Sequence, residues 1–184
     1  MGLFQKLASL GTEPNKVIDV QFDSTYLDQI SNISASRAQL NLTFPGDLLQ
    51  EIADAIENHQ ATTRIPYVEE MQFLDVVGES FHQEALMELD SNFPEEWFAG
   101  FLVPEPFNQF DKNAVMVLLI KPDDLSVLQV GHLAKEQAKK VHKKICKLLV
   151  NDQYVPVLMK IKGGDDEKPN FGVLARAKTN KITF

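Results

Sequence analysis

The sequence predicts a mainly β protein of the α+β class: a small closed or partly closed β-barrel with flanking helices, preceded by a mixed N-terminal extension. Two observations lead to this prediction. The apolar segments that follow residue 67 are short and mostly adjacent in the chain, and one long amphipathic segment interrupts them late. Because strands and helices do not alternate regularly, a doubly wound parallel sheet is not expected.

The N-terminal part of the chain differs in character from the rest. Residues 1–66 are assigned to an acidic N-terminal extension and residues 67–184 to the barrel. In the extension, "NKVIDVQF" is a candidate strand, and "PGDLLQEIADAIENHQ" predicts a helix that Asp47 can cap. Acidic residues line one face of this helix, and the other face is apolar, with Leu48, Leu49, Ile52 and Ile56 at helical spacing. We therefore expect a core-facing helix with an acidic outer side.

Six segments of the barrel region predict strands, because each is short, largely apolar and bounded by turn residues. They are "EMQFLDVVGE", "FAGFLVPEP", "NAVMVLLI", "LSVLQVGHL", "YVPVLMKIKGG" and "FGVLARAK". The unbroken apolar run of the third segment indicates a strand buried on both faces, and the "PDD" turn after it predicts a hairpin with the fourth. Between the first two strands, "SFHQEALMELD" predicts a short helix with Ser80 as its cap.

The late amphipathic segment, "AKEQAKKVHKKICKLLV", is the strongest physicochemical feature of the chain. Its apolar residues keep helical spacing: Ala138, Val141, Ile145, Leu148 and Leu149. Opposite them runs a stripe of lysines, formed by Lys135, Lys139, Lys143 and Lys147 with Lys140 and Lys144 beside them. Two interpretations are open: a solvated helix face, or a surface that attracts phosphates without reading sequence.

The charge is distributed unevenly along the chain. The net charge is −8, but residues 1–96 carry four Lys and Arg against 17 Asp and Glu, a balance of −13. Residues 97–184 carry 14 basic residues against nine acidic ones, a balance of +5. Such asymmetry is a recognised hint of a surface made for a polyanion, but the charge alone favours the simpler alternative of two differently charged faces of one soluble protein.

The sequence offers no constellation of residues for catalysis. It contains no glycine-rich phosphate loop, no His-Glu-x-x-His pair and no cysteine pair, and its four histidines are scattered. We therefore predict no catalytic residue, no metal site and no cofactor, and expect a protein that is not an enzyme. The single cysteine, Cys146, suits a packing residue in a reducing cytoplasm. No apolar run approaches the length that spans a bilayer, so no membrane partner is expected.

The turn "NQFDKNA" brings an aromatic ring, a carboxylate, an ammonium group and amides together between two predicted strands. Phe110 stands in a polar setting where the core is not its obvious destination, whereas Phe81 and Phe171 could be core residues or exposed rings. Exposed rings give single-stranded bases a stacking surface. Asp111 would repel phosphate, so against a nucleic acid it makes sense as an acceptor from a hydroxyl or an amine. A terminal 3′-hydroxyl is one such donor.

Three blocks of the sequence, "VVGESFHQEAL", "LVPEPFNQFDKNAVMV" and "VGHLAKEQA", resemble in that order the signature blocks of the HIRAN domain. This family is a small OB-like β-barrel found in helicase-like transcription factor and related remodelling ATPases, and as a free-standing or fused domain in bacteria and phages. The resemblance covers roughly residues 70 to 178. It implies an OB-like barrel of the bacterial or phage free-standing type. Because this chain holds no ATPase, it also implies a helicase or nuclease partner.

Eukaryotic members of the family bind single-stranded DNA at a free 3′-hydroxyl end, and the resemblance implies this ligand here, in DNA repair or replication. Carried over by motif, Phe81 and Phe110 are the base-stacking positions and Asp111 is the position that meets the 3′-hydroxyl. Two further residues correspond to phosphate-contacting positions, His132 and Lys135. The predicted interface is completed by His82, Lys112, Lys139 and Phe171.

The chain departs from the DNA-binding members of the family in ways that bear on the ligand. Phenylalanine stands at both family tyrosine positions, which keeps the stacking surfaces and removes two hydroxyl hydrogen bonds. Ser80 stands where those members have a basic residue, which removes a phosphate contact. Two hypotheses follow. One is a non-catalytic module that captures 3′ ends of single-stranded DNA. The other is a protein-interaction or adaptor module that keeps the barrel without binding DNA and works through its acidic first half.

Overall fold

A computed structural model of the protein describes residues 46–58, 64, 71–105, 108–149, 151, 153–177 and 182–184. Within these residues the helices are α1 (Gly46–Glu57), α2 (Gln83–Asn92) and α3 (Lys135–Leu149), and a short 3-10 helix, Glu79–Phe81, precedes α2. The strands are β1 (Gln72–Leu74), β2 (Val76–Val77), β3 (Trp97–Pro104), β4 (Val115–Ile120), β5 (Val127–Leu133), β6 (Pro156–Lys162) and β7 (Gly172–Ala177). The candidate strand "NKVIDVQF" lies outside the described residues.

The strands form one antiparallel sheet in the order β1-β7-β6-β3-β4-β5-β2. Its two edge strands are neighbours in the chain, because only Asp75 separates β1 from β2. β1 pairs with β7, where Phe73 lies opposite Arg176, and β2 pairs with β5, where Val77 lies opposite His132. One short segment therefore covers both edges, and the sheet forms a nearly closed barrel. The mainly β, α+β fold expected from the sequence, a small barrel with flanking helices, is confirmed.

The sequence predicts a single strand over residues 70–79, and the structure divides it at Asp75. The backbone N–H of Asp75 donates to Oε1 of Gln137 at 2.8 Å, and the carbonyl of Asp75 accepts from the N–H of Ala134 at 2.7 Å. These bonds tie the junction to the beginning of α3 instead of to a neighbouring strand. The break lets the chain pass from one edge of the sheet to the other.

The core includes the helices as well as the barrel strands. β4 is buried along its whole length, as its unbroken apolar run predicts, and it pairs with β5 in the predicted hairpin. The apolar residues predicted for α3 are all buried, and the same face also buries His142 and Cys146. α1 contacts β3 and β6, and its apolar side chains belong to the same core as theirs. The helix predicted within the extension therefore packs directly on the barrel.

Neither α1 nor α2 begins at the residue that the sequence suggests as its cap. α1 begins at Gly46, so Asp47 lies inside the first turn, where its carboxylate accepts a hydrogen bond from Arg64 at 2.8 Å. This bond lowers the pKa of Asp47. Gly78, with a φ of 88°, directs the chain into the 3-10 helix that contains Ser80, and α2 therefore begins only at Gln83.

Candidate nucleic-acid interface

The turn before β4 is held by two short polar side chains. Oδ1 of Asn108 accepts from the backbone N–H groups of Phe110 at 2.9 Å and of Asp111 at 3.0 Å. Oδ1 of Asp111 in turn accepts from the backbone N–H of Asn113 at 2.9 Å. Asparagine and aspartate stabilise tight turns in this way. The consequence is that the ring of Phe110, between these two anchors, points into solvent and is 93% exposed.

The hydrogen bonds within the turn use only one of the two carboxylate oxygens of Asp111. Both side-chain contacts of Asp111, from the backbone and the amide of Asn113, use Oδ1. Oδ2 makes no hydrogen bond within the described part of the chain. Because an ionised carboxylate only accepts, the group that Oδ2 could bind is a donor such as a hydroxyl, an amine or an amide N–H. The turn thus presents a flat ring and an acceptor on adjacent residues.

Glu105, at the end of β3, connects this turn to β5. Its Oε2 accepts from Nδ2 of Asn108 at 2.7 Å and from Nε2 of His132 at 2.8 Å. Sequence reasoning missed Glu105, which it included in the strand segment "FAGFLVPEP" without a role of its own. The sequence did contain a signal: Glu105 lies near the end of the segment predicted as β3, and His132 lies near the end of the segment predicted as β5 in the same sheet. Glu105 therefore fixes both the polar turn and the ring of His132.

A β-bulge sets the direction of the His132 side chain. Val117 lies opposite Gly131, and Leu118 lies opposite Gln129, so Val130 is an extra residue in β5. The bulge places Gln129 and His132, three residues apart, on the same side of the sheet, and the amide nitrogen of Gln129 lies 3.4 Å from Nδ1 of His132.

Gly131 has a steric requirement of its own. A Cβ atom there would lie 2.7 Å from the carbonyl oxygen of Val77, so the glycine allows β2 to approach β5. This close approach is a physical reason for the glycine of the "VGHL" motif.

The barrel topology brings the polar turn and the beginning of α3 to the same end. β3 ends at Pro104, opposite the first residue of β4, and Met116 of β4 lies opposite His132 near the end of β5. The turn that joins β3 to β4 and the junction of β5 with α3 therefore emerge side by side. Phe110, Asp111 and Lys135, which the sequence predicts to act together, all lie at this end.

The lysine stripe of α3 faces solvent along its whole length. All six lysines of the helix are exposed, while Ala138, Val141 and Ile145 are buried. Lys112, in the polar turn, is exposed as well. Seven ammonium groups are thus exposed on the polar turn and along α3, which begins at this end of the barrel, and their attraction for phosphates falls with salt.

The second aromatic segment lies on the other side of His132. β2 ends opposite His132, and the following 3-10 helix packs against β5 and β7. Phe81, the last residue of that helix, is 78% exposed, and His82 after it is half-buried. The exposed rings of Phe81 and Phe110 therefore belong to segments that both contact the end of β5, with His132 between them.

Phe171 contributes mainly to packing. Its ring is half-buried against the core and lies on the backbone of Gly164, where an added Cβ atom would come within 2.2 Å of the ring. The backbone of Phe171 is bound by the Gln83 side chain, which accepts from its N–H at 2.8 Å and donates to its carbonyl at 2.8 Å. These bonds hold β7 beside the segment that carries Phe81. Of the three predicted stacking rings, Phe171 is the least accessible.

Burial shifts the pKa of two residues on the inner face of α3, Cys146 and His142. Burial raises the pKa of the Cys146 thiol to about 12, so the group remains protonated and unreactive near neutral pH. Burial also lowers the pKa of His142, and the nearby Asp111 charge opposes this effect. Nε2 of His142 is buried and has no hydrogen-bond partner among the described residues.

Within the described ranges, no group of three or more His, Cys, Asp and Glu side chains is arranged to hold a metal ion. In the same residues, no helix has the length and apolar character that crossing a bilayer requires. Comparisons of the chain with protein-family models, with curated proteins and with solved structures found no match.

Proposed function

We propose that the protein is a non-catalytic HIRAN-type module that binds single-stranded DNA at free 3′-hydroxyl ends, in DNA repair or replication. The observation that supports this function best is the turn of Phe110 and Asp111. A ring that is 93% exposed stands beside a carboxylate oxygen that has no hydrogen bond within the described residues. Single exposed apolar side chains are common on protein surfaces, so the support comes from the combination of this ring with a free acceptor on the adjacent residue.

In the proposed complex, the residues at this end of the barrel bind different parts of the DNA strand. The terminal base stacks on Phe110, and a neighbouring base stacks on Phe81. Oδ2 of Asp111 accepts a hydrogen bond from the terminal 3′-hydroxyl. A 3′-phosphate in its place would bring negative charge against the carboxylate and remove the donor, so the site would discriminate against it.

Phosphate groups further along the strand would be held by His132, Lys135 and Lys139, with Lys112 beside the turn. Glu105 accepts from Nε2 of His132 and the amide nitrogen of Gln129 lies 3.4 Å from Nδ1, so this ring would contact a phosphate only by exchanging one of these two partners. Because the lysines are exposed, their contribution is long-range attraction that depends on salt, and it carries no sequence information. Base stacking is tolerant of sequence as well, so the module would recognise an end and not a sequence.

Fluorescence anisotropy with a short labelled oligonucleotide tests this function. We expect the oligonucleotide with a 3′-hydroxyl to bind more tightly than the same oligonucleotide with a 3′-phosphate, and we expect this preference to disappear in Asp111→Asn. Met87→Ala, an exposed apolar residue on α2, is the matched control and should bind as the unaltered protein does. Equal affinity for the two ends would refute end recognition, and no binding at low salt would refute the DNA function.

The exposed acidic side of α1 favours a second candidate function, a protein-interaction or adaptor module. Asp54 and Glu57 face solvent on a helix whose other side is anchored in the core. Affinity capture from a lysate, with and without nuclease treatment, distinguishes the two functions. Partners that persist after nuclease and are lost in Asp54→Asn/Glu57→Gln would support the adaptor, and partners that are lost with nuclease would support DNA binding.

A further inference from the structure

A second exposed aromatic surface lies on the outward side of the barrel and shares no residue with the turn of Phe110. Phe73 on β1 is 62% exposed and Trp97 on β3 is 42% exposed. Strand residues alternate between the two sides of a sheet, and here the alternation is clear: Met159 and Ala175 are fully buried. Their chain neighbours Lys160 and Arg176 point to the outer side that carries the two rings. This outer face of β1, β7, β6 and β3 is called the aromatic face below.

Arg176 connects the two rings of the aromatic face. Its Cζ atom lies 4.7 Å from the centroid of the Phe73 ring and 5.7 Å from the centroid of the Trp97 ring. The two centroids are therefore at most about 10 Å apart. A stacked strand advances about 3.4 Å per nucleotide, so this span corresponds to a few nucleotides. A guanidinium held against two rings loses little freedom when it binds a phosphate, because its position is already fixed.

The charge of the aromatic face is positive in a protein of negative net charge. Arg176, Lys160 and Lys162 stand against two carboxylates: Glu95, which forms an ion pair with Lys160, and Glu79, whose Oε1 lies beside Gly172, the residue opposite Lys162. Lys160 and, more weakly, Lys162 lower the pKa of Glu95, which indicates that both ammonium groups lie near it. The local balance is therefore an excess of one positive charge, whereas the whole chain carries −8. This complementarity favours a ligand that is itself anionic.

The backbone of Phe73 also contacts the lysine-bearing helix. Nε2 of Gln137, in the first turn of α3, donates to the carbonyl of Phe73 at 3.2 Å. The aromatic face thus begins where the exposed lysines of α3 begin. Flat rings, a guanidinium and ammonium groups along one path match the alternation of bases and phosphates in a single strand.

We propose that the aromatic face is a second contact surface for single-stranded nucleic acid, in which bases stack on Phe73 and Trp97 and phosphates bind Arg176 and Lys162. It lies on other strands and side chains than the turn that meets the 3′ end, and it requires no free end. Its ligand class is shared with the proposed function, but its residues are different. The two ideas can therefore fail independently.

Trp97 supplies a direct readout, because it is the single tryptophan of the chain. The probe is an oligothymidylate with a 3′-phosphate, which avoids any contribution from end recognition. Titration of the full chain at low salt, with excitation selective for tryptophan, should give saturable quenching of Trp97 fluorescence. The quenching should persist in Phe110→Ala, since that ring belongs to the other site.

Variants of the aromatic face complete the test. Phe73→Ala should weaken the quenching titration by about fivefold or more, the loss expected for one stacked base. Lys162→Gln should reduce the slope of log affinity against log salt by about one. Met87→Ala serves again as the exposed apolar control and should change neither quantity. Circular dichroism of each variant verifies that the fold is retained.

Three results would overturn the proposal. The first is the absence of quenching at low salt. The second is equal quenching by a poly-glutamate peptide of the same charge, which would identify an acidic protein segment as the occupant. The third is quenching that neither Phe73→Ala nor Arg176→Gln alters. A protein that prefers no 3′ end but shows Phe73-dependent quenching would disprove the proposed end recognition and support this second surface.

Discussion

Replacing Phe110 by alanine separates the cost of folding from the cost of binding. A buried phenylalanine removes about 150–250 Å² from water, but this ring is 93% exposed and buries only the remaining fraction, roughly 10–20 Å². At about 25 cal/mol per Å², its contribution to stability is below about 0.5 kcal/mol. The loss of one stacked base should instead weaken binding by about 1–3 kcal/mol, which is about five- to 150-fold.

Two measurements on the Phe110→Ala variant test this difference. Urea denaturation should give nearly the same free energy of unfolding as the unaltered protein, while anisotropy titration with a 3′-hydroxyl oligonucleotide should show the weaker affinity. Phe110→Tyr is the conservative control and should bind at least as tightly, because it keeps the ring and adds a hydroxyl. An alanine variant with unchanged affinity would refute stacking on Phe110. An alanine variant destabilised by several kcal/mol would show that the ring is packed, contrary to its exposure.

Four further predictions concern the residues around the site. Glu105→Ala leaves Asn108 and His132 without their acceptor and should cost about 1–3 kcal/mol of stability in urea, and an unchanged midpoint would contradict this role. Because burial lowers the pKa of His142, the unfolded chain binds a proton that the folded state does not. Stability should therefore fall as the pH decreases below about 6.5, and His142→Leu should flatten that slope in thermal melts at several pH values. Gly131→Ala should lower the free energy of unfolding in urea by at least about 1 kcal/mol, because the added Cβ atom would clash with β2. An unchanged free energy of unfolding would contradict the close approach of β2 to β5. Cys146 should resist alkylation at neutral pH until urea unfolds the chain, and rapid labelling of the folded protein would disprove its burial.

Much of the barrel follows from local patterns in the sequence. The apolar run of β4, the hairpin that it forms with β5 and the apolar seam of α3 are recognisable because each depends on spacing along one segment. A buried central strand and an amphipathic helix leave such patterns wherever they occur. The exposed lysine stripe of α3 follows for the same reason, since it is the other side of the same helical period.

The candidate site is predictable only in part. Phe110 and Asp111 can be identified from the sequence, because they lie in a polar turn. Local hydrogen bonds to the side chains of Asn108 and Asp111 hold this turn outside the core. Glu105 escapes notice because its importance depends on His132, 27 residues away in the sequence. The bulge at Val130 escapes notice too, because it exists only where β5 pairs with β4. Phe171 has an aromatic ring that could stack on a base, but the ring packs against the backbone of Gly164.

The sequence by itself determined the helices, most of the strands and the turn that exposes Phe110, because these depend on side chains within a few residues of one another. Only the tertiary structure decided that Asp75 divides one predicted strand into the two that cover both edges of the sheet. It likewise decided that Glu105 meets His132 and that Arg176 lies between Phe73 and Trp97. Those contacts join residues far apart in the chain, and a pairing between strands leaves no periodic trace in either strand alone.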